Sequence, residues 1–172
     1  MIAKVILNPY ARRWSARQRI PEVQSALEAA NIPYELVQTE APDHAIQLAA
    51  QAVNDGFSPI IAAGGDGTIS EVVNGLRKAA PSDGQHPLGP LGLLPLGSAN
   101  DLMVNLGLPV ELVPAAQVIA VGRTRLIDVG QIQFGEYSRL FDNNSAIGLE
   151  PYITLIQQRI TRLRGALRYL VA

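Results

Sequence analysis

The sequence predicts an α/β fold, a parallel sheet with helices on both faces, followed by the start of an antiparallel β domain. Three observations carry this. Short apolar runs alternate with amphipathic stretches in a βαβαβαβα order over residues 1–124, as buried parallel strands and their crossover helices require. The polar turns Asn8, Thr39, Gly64–Gly67 and Pro95–Ser98 each follow such a run. They therefore share the carboxyl edge of the sheet, where ligands collect in folds of this kind. After residue 124 the pattern changes to two strands joined by Phe134-Gly135-Glu136-Tyr137, a hairpin. The expected division is a nucleotide-binding α/β domain over 1–124 and a partial β-sandwich domain with a helical tail over 125–172.

The elements follow in order. Residues 2–7 read as a buried strand ending at Asn8-Pro9, and Tyr10 to Arg19 as a polar, basic loop. Pro21 suits the first turn of a helix with Val23, Leu27 and Ala30 on one face. Tyr34 to Val37 is the second strand. Asp43 is placed to cap a helix whose apolar face is Ile46, Ala49 and Val53 and whose stop is Gly56. A strand over 59–63 and a helix over 68–79 come next, then a turn-rich loop from Pro81 to Pro90. Leu91 to Leu94 is the fourth strand, Ser98 to Leu106 a short helix and Glu111 to Val121 another. Leu126–Gln133 and Ser138–Ile147 form the hairpin strands, and Pro151 to Ala172 reads as a helix with four arginines and one face of Ile160, Leu163, Leu167 and Leu170.

Composition narrows the classes of function. A net charge of −1 gives no electrostatic case for nucleic-acid binding. The absence of cysteine excludes disulfides and thiol catalysis, and suits a cytoplasmic location. No apolar run reaches the roughly 18 residues of a membrane span, and the N-terminal apolar run is too short for a signal peptide. His44 and His86 have no ligand partners at metal spacing and read as a first-turn helix residue and a loop residue.

The chemistry concentrates in Pro59-Ile60-Ile61-Ala62-Ala63-Gly64-Gly65-Asp66-Gly67-Thr68-Ile69-Ser70-Glu71. An apolar strand enters a glycine-rich turn that opens a helix, so main-chain amides and the helix dipole face one point, which makes a phosphate site. It lacks the Gly-Lys-Ser/Thr ending of a Walker loop and does not supply the dinucleotide G-x-G-x-x-G. Asp66 would repel phosphate unless it organises Mg²⁺ or orients a donor. Thr68 and Glu71 also form a T-x-x-E capping box, a purely structural alternative. Pro95-Leu96-Gly97-Ser98-Ala99-Asn100-Asp101 is a second bend of this type. There Ser98 either caps a helix or bonds a nucleotide, and Asn100 and Asp101 supply an amide and a carboxylate.

Taken together, Asn8-Pro9, Thr39, Gly64-Gly65-Asp66-Gly67-Thr68 with Glu71, and Gly97-Ser98-Ala99-Asn100-Asp101 resemble, in order and spacing, the diacylglycerol kinase catalytic family. That family includes YegS-like, sphingosine and ceramide kinases. The resemblance continues through Ile127-Asp128-Val129-Gly130, Phe141 to Gly148 and the late Gly165 and Tyr169. The glycine-Asp turn alone also occurs in NAD kinases and phosphofructokinases, and the second bend narrows the choice. The resemblance implies an ATP- and Mg²⁺-dependent lipid kinase that transfers the γ-phosphate to a lipid hydroxyl such as that of diacylglycerol. Thr39, Gly64, Gly65, Asp66, Gly67, Thr68, Ile69, Ser70, Glu71, Gly97 and Ser98 would meet ATP, and Asn8, Asn100 and Asp101 would support the cleft. Asp66, the matched loop acid, would be the catalytic residue, organising Mg²⁺ or the attacking hydroxyl electrostatically.

The departures from the family pattern are equally specific. Asn8-Pro9 leads to Tyr10-Ala11-Arg12-Arg13 with no glycine, and Ser98-Ala99 stands where Thr-Gly is common. The family's Asp-Gly-Glu segment, which carries its general base, is not found in these 172 residues. The chain is therefore expected to be the ATP-binding N-terminal part of such an enzyme, inactive in isolation. A non-catalytic nucleotide-binding module and a NAD-kinase-like enzyme are the alternatives. The expected partner is a lipid at the membrane surface. Trp14 with Arg12, Arg13, Arg17 and Arg19 is either a solvated loop or a lip that meets headgroups. Unfinished strand edges predict self-association as a homodimer.

Overall fold

The fold is described from a computed structural model, over residues 1–12, 15–81 and 86–143. Six strands and five α-helices are present among them. The strands are β1 (Ala3–Leu7), β2 (Tyr34–Gln38), β3 (Ile60–Gly64), β4 (Leu91–Pro95), β5 (Gly130–Phe134) and β6 (Tyr137–Phe141). The helices are α1 (Ile20–Ala29), α2 (His44–Asn54), α3 (Asp66–Ala79), α4 (Asp101–Asn105) and α5 (Leu112–Val121). The four-stranded sheet is parallel with order β2-β1-β3-β4. Its central strands β1 and β3 are buried almost throughout, as Val5, Ile6, Leu7, Ile60, Ile61, Ala62 and Ala63 show. Apolar runs of this kind are what a sheet covered on both faces selects.

The chain leaves β1 toward β2 and later crosses back past β1 to β3. With right-handed crossovers this reversal puts α1 and α2 on opposite faces. The packing agrees: α1 lies against α5, and α2 lies against α3. The reversal falls between β1 and β3, so the crevice beyond their carboxyl ends is the switch point of the sheet, the favoured ligand position. Asn8, Thr39, Gly65 and Leu96 immediately follow β1, β2, β3 and β4 at that edge.

Several local expectations are corrected. The loop expected from Tyr10 to Arg19 contains a 3-10 turn, Ser15–Arg19, anchored by the fully buried Ala16. Asp43 does not cap α2. Its backbone is left-handed at φ 62, and its carboxylate pairs with Arg139 at 3.2 Å. The buried residues of α2 are Ala45, Ala49, Ala50 and Ala52; of the expected face Ala49 is buried and Ile46 and Val53 are half-buried, and α3 presents Gly75 where the two helices cross. A Cβ on Gly75 would lie 2.5 Å from the Ile46 carbonyl oxygen and 2.6 Å from the Ala49 Cβ, so only small side chains fit the crossing. His44 does begin a helix, and its Nδ1 accepts a hydrogen bond from the Glu40 N–H at 3.1 Å.

The hairpin is present as an antiparallel pair, with Gly135 at φ 58 in its turn, but β5 starts at Gly130 rather than Leu126. The continuation of the second strand beyond residue 143, the helix expected over 151–172 and the pair Arg13 and Trp14 lie outside the described residues. Asn74 on α3 holds the hairpin to the sheet domain. Its Oδ1 accepts from the Leu140 N–H and its Nδ2 donates to the Leu140 carbonyl, both at 2.9 Å. Among the described residues β6 has no neighbouring strand on this side, and one side-chain amide takes that place. Nδ2 also donates to the Ser70 carbonyl at 2.8 Å, which fixes its orientation. Asn74→Leu should leave two main-chain groups at the buried Leu140 unpaired. The expected loss is about 2 kcal/mol, read by denaturant unfolding, with faster amide exchange at Leu140. Unchanged exchange there would mean the clamp contributes nothing.

Candidate functional site

The first bend is formed where β3 ends. Gly65 is extended at φ −104 and acts as the N-cap of α3, so the helix begins at Asp66, two residues earlier than the sequence pattern suggests. The Thr68 and Ile69 amides both donate to the Gly65 carbonyl, at 2.9 and 3.1 Å. The Asp66 and Gly67 amides precede any intrahelical acceptor and are left to point past the helix end with its partial positive charge. Gly67 is exposed, and a Cβ built on it would meet nothing within 4 Å. The space over this turn is open, so a ligand can approach the main chain here.

The capping box does not form. The Thr68 hydroxyl instead accepts from the Asn8 side-chain amide at 3.0 Å. Asn8 Oδ1 in turn accepts from the Tyr10 N–H at 2.9 Å, and its own N–H donates to the Ala63 carbonyl. Asn8 therefore ties the end of β1 to the first turn of α3 and aims the Thr68 hydroxyl proton away from itself. Glu71 accepts from the Ala45 N–H at 3.2 Å and supplies the N-terminal acceptor for α2 that Asp43 does not. Ile69 is buried in the core, so only its backbone faces the bend. Thr39 is buried at the end of β2, its N–H donating to the Leu7 carbonyl at 2.9 Å.

The second bend lies directly against the first. The Leu96 N–H donates to the Gly64 carbonyl at 2.9 Å. A Cβ on Gly97 would fall 2.5 Å from the Gly65 Cα, so the two turns pack main chain against main chain. Asp66 Oδ1 accepts from the Leu102 N–H at 3.1 Å and thereby holds the start of α4 on the glycine turn. Ser98 does not cap that helix. Asn100 takes a left-handed conformation at φ 55, and its Oδ1 accepts from the Gly97 N–H at 3.0 Å, which shortens α4 to Asp101–Asn105. Asn100 is buried and structural in these contacts, while Ser98 and Asp101 are exposed at the mouth. Arg19, read from the sequence as part of a loop, reaches this bend, with Nη1 3.5 Å from the Pro95 carbonyl oxygen.

Sequence reasoning assigned Asp142 no role, and the structure brings it to the glycine turn. Asn105 bonds Asn143 at 2.9 Å and Asn74 bonds Leu140, so the residues leaving β6 are held to both α4 and α3. Burial raises the Asp142 pKa above the usual carboxylate range, and the nearby Asp66 charge raises it further, while the Ser70 side chain favours the ionised form. Asp142 Oδ2 is buried without a hydrogen-bond partner. The resemblance included the segment beginning at Phe141, but no spacing rule joins Asp142 to Asp66, because the link depends on how Asn74 and Asn105 seat the hairpin.

These oxygens fit Mg²⁺. Two carboxylates sense one another, one has an orphaned buried oxygen, and the donor set is oxygen alone, as a hard cation prefers. Among the described residues no group of three acidic or histidine side chains gathers.

In metal-free buffer the sign of the Asp142 contribution is fixed. Its folded pKa is raised, so between the unfolded value near 3.9 and the folded value the native state binds more protons, and stability falls as pH rises. Asp142→Asn should therefore raise Tm at pH 7 with chelator present, and the gain should vanish as pH approaches about 4. A gain that is constant with pH would show that the carboxylate charge is not its source.

The diacylglycerol kinase catalytic domain family matches residues 3–132. A diacylglycerol kinase of Bacillus subtilis (strain 168) is 38% identical over 169 residues, which is 97% of this chain and 52% of that protein. One of Staphylococcus saprophyticus is 33% identical over 147 residues, 85% of this chain and 45% of that protein. The crystal structure of a diacylglycerol kinase from Bacillus anthracis str. Sterne superposes with a TM-score of 0.60 at 26% identity, covering 74% of this chain and 42% of that one. The chain thus spans about half the length of the relatives it matches. With two glycine bends at the switch point of a parallel sheet and a family match across that whole sheet, the chain belongs to the diacylglycerol kinase catalytic domain family.

Proposed function

We propose that this chain is the ATP-binding part of a lipid kinase that transfers the γ-phosphate of ATP to a lipid hydroxyl such as that of diacylglycerol. The observation that carries the reading is the contact between the two bends, Gly65 against Gly97, which brings the main chain of two strand ends together at one edge of the sheet. Phosphoryl transfer needs alignment and charge neutralisation more than covalent chemistry from the protein. The free amides of Asp66 and Gly67 would receive phosphate oxygens, the Thr68 hydroxyl would donate to another, and Arg19 would add a cation at the rim. Bound Mg²⁺ would neutralise the developing phosphate charge, with Asp66 and Asp142 as its carboxylate ligands. Ser98 and Asp101, exposed at the mouth, would face the nucleotide or the acceptor.

Among the described residues no helix is long and apolar enough to cross a membrane, so the lipid would be met at the membrane surface. The hairpin leaves Ile132, Phe134 and Tyr137 exposed, and these residues would be the contact in a homodimer. The test is label transfer from γ-labelled ATP to diacylglycerol in mixed micelles by the full-length protein with Mg²⁺. Transfer to lipid that excess NAD does not reduce supports the reading. Transfer to NAD in place of lipid would replace it with a NAD-kinase-like activity.

A further inference from the structure

An open groove of about 550 Å³ lies between α2, α3 and the β5–β6 hairpin. None of its lining residues belongs to either glycine bend, so it is a separate feature from the proposed nucleotide site. Its volume is in the range of small-molecule sites.

Three cations line it from two elements: Arg77 and Lys78 from the last turns of α3, and Arg139 from β6. Asp43 is the one carboxylate among the described lining residues, and it is engaged by Arg139 at 3.2 Å. The wall therefore carries two positive charges in excess. Arg77 is steadied by donating from Nη1 to the Pro81 carbonyl at 2.8 Å, which leaves the rest of its guanidinium fork for other acceptors. Lys78 makes no ion pair within the described residues and is exposed on the groove rim. Ser138 also lines the space, and its hydroxyl oxygen accepts from Gln131 Nε2 at 2.7 Å, which leaves its proton to donate. Asn74 lines it too, but its donors and acceptor are already used by Leu140 and Ser70, so it adds no competing polarity.

We propose that this groove is a second anion site that takes a phosphate group, held by Arg77, Lys78 and Arg139, with Ser138 as a hydroxyl donor. Two arginines held by fixed partners and one exposed ammonium suit a phosphate, which accepts bidentate guanidinium contacts and a point charge together. Positive charge near the hairpin would be relieved on binding, so occupancy should also tighten the hairpin on α3. None of these residues is assigned to ATP or the acceptor, so the site stands independently of the kinase reading.

The phosphate has two sources, a soluble phosphorylated molecule and an anionic lipid headgroup, and the experiment separates them. The ¹⁵N-labelled chain is titrated with inorganic phosphate, and its binding to phosphatidylglycerol vesicles is compared with binding to phosphatidylcholine vesicles. Saturable shifts at Arg77, Lys78, Ser138 and Arg139, weakened about tenfold or more by Arg77→Gln/Lys78→Gln, support the site. Lys78→Gln alone, a change at an exposed residue with no described ion-pair partner, should weaken binding without altering the fold. Loss of vesicle binding in the same variants assigns the headgroup, and unchanged vesicle binding assigns the soluble ligand. Phosphate that shifts only Gly65–Thr68, or phosphate binding unchanged in the double variant, would overturn the proposal.

Discussion

Gly97→Ala is expected to unseat both bends at once. The new Cβ would sit 2.5 Å from the Gly65 Cα and 2.6 Å from Asn100 Oδ1. The first neighbour is main chain at the end of a buried strand, and the second is a buried side chain bonded back onto Gly97, so neither can give way cheaply. Overpacking of this kind costs about 2–3 kcal/mol, which for a chain of this size lowers Tm by roughly 5–10 °C. ATP binding should be lost with it, because the two turns can no longer meet. Gly67→Ala is the informative partner. Nothing lies within 4 Å of the position its new methyl would take, so the folded structure should tolerate the change while the methyl blocks a phosphate approaching the exposed turn. Thermal unfolding and calorimetry with ATP·Mg²⁺ read the two effects separately. Unchanged ATP·Mg²⁺ binding in Gly67→Ala would show that the turn's openness has no part in binding.

The second large effect is expected at Asp66. Its two oxygens have different duties. Oδ1 holds the Leu102 N–H, a structural bond, and the charge faces Asp142 and the turn. Asp66→Asn keeps an acceptor for Leu102 and removes the charge. It should leave Tm near that of the parent and lower phosphoryl transfer by the full-length protein by about 10²–10³-fold, the scale of losing one electrostatic contribution to a transition state. Asp66→Ala should lose the same activity and also about 1 kcal/mol of stability, because the Leu102 amide is left unpaired. If Asp66→Asn retains full activity, the carboxylate serves only to fasten α4, and the metal must be organised elsewhere.

The strands and their common edge were readable from the chain because buried parallel strands leave continuous apolar runs, and their polar ends need no further information. The two bends were readable for the same reason, since glycine beside a strand end limits what the backbone can do. What the pattern did not carry is partner choice among polar side chains. Thr68 and Glu71 have the spacing of a capping box, yet Asn8 and Ala45 offer better partners once β1 and α2 are in place. Asp43 precedes a helix, yet Arg139, 96 residues later, takes its carboxylate. Asp142 joins the site through the grip of Asn74 on Leu140 and of Asn105 on Asn143, contacts between residues 66 and 38 apart. Long-range pairings of this kind follow from topology, and short spacing rules do not contain them.

The family's match over the whole sheet fixes the scaffold, and nucleotide binding then rests on whether main-chain amides of two touching bends receive the triphosphate. Amide chemical-shift mapping of the ¹⁵N-labelled chain during titration with ATP·Mg²⁺ tests this most directly. Saturable shifts that appear together at Gly65, Asp66, Gly67 and Thr68 and at Gly97 and Ser98, with one apparent Kd, are the predicted result. Shifts confined to one bend, or found only at Arg77, Lys78 and Arg139, would contradict it.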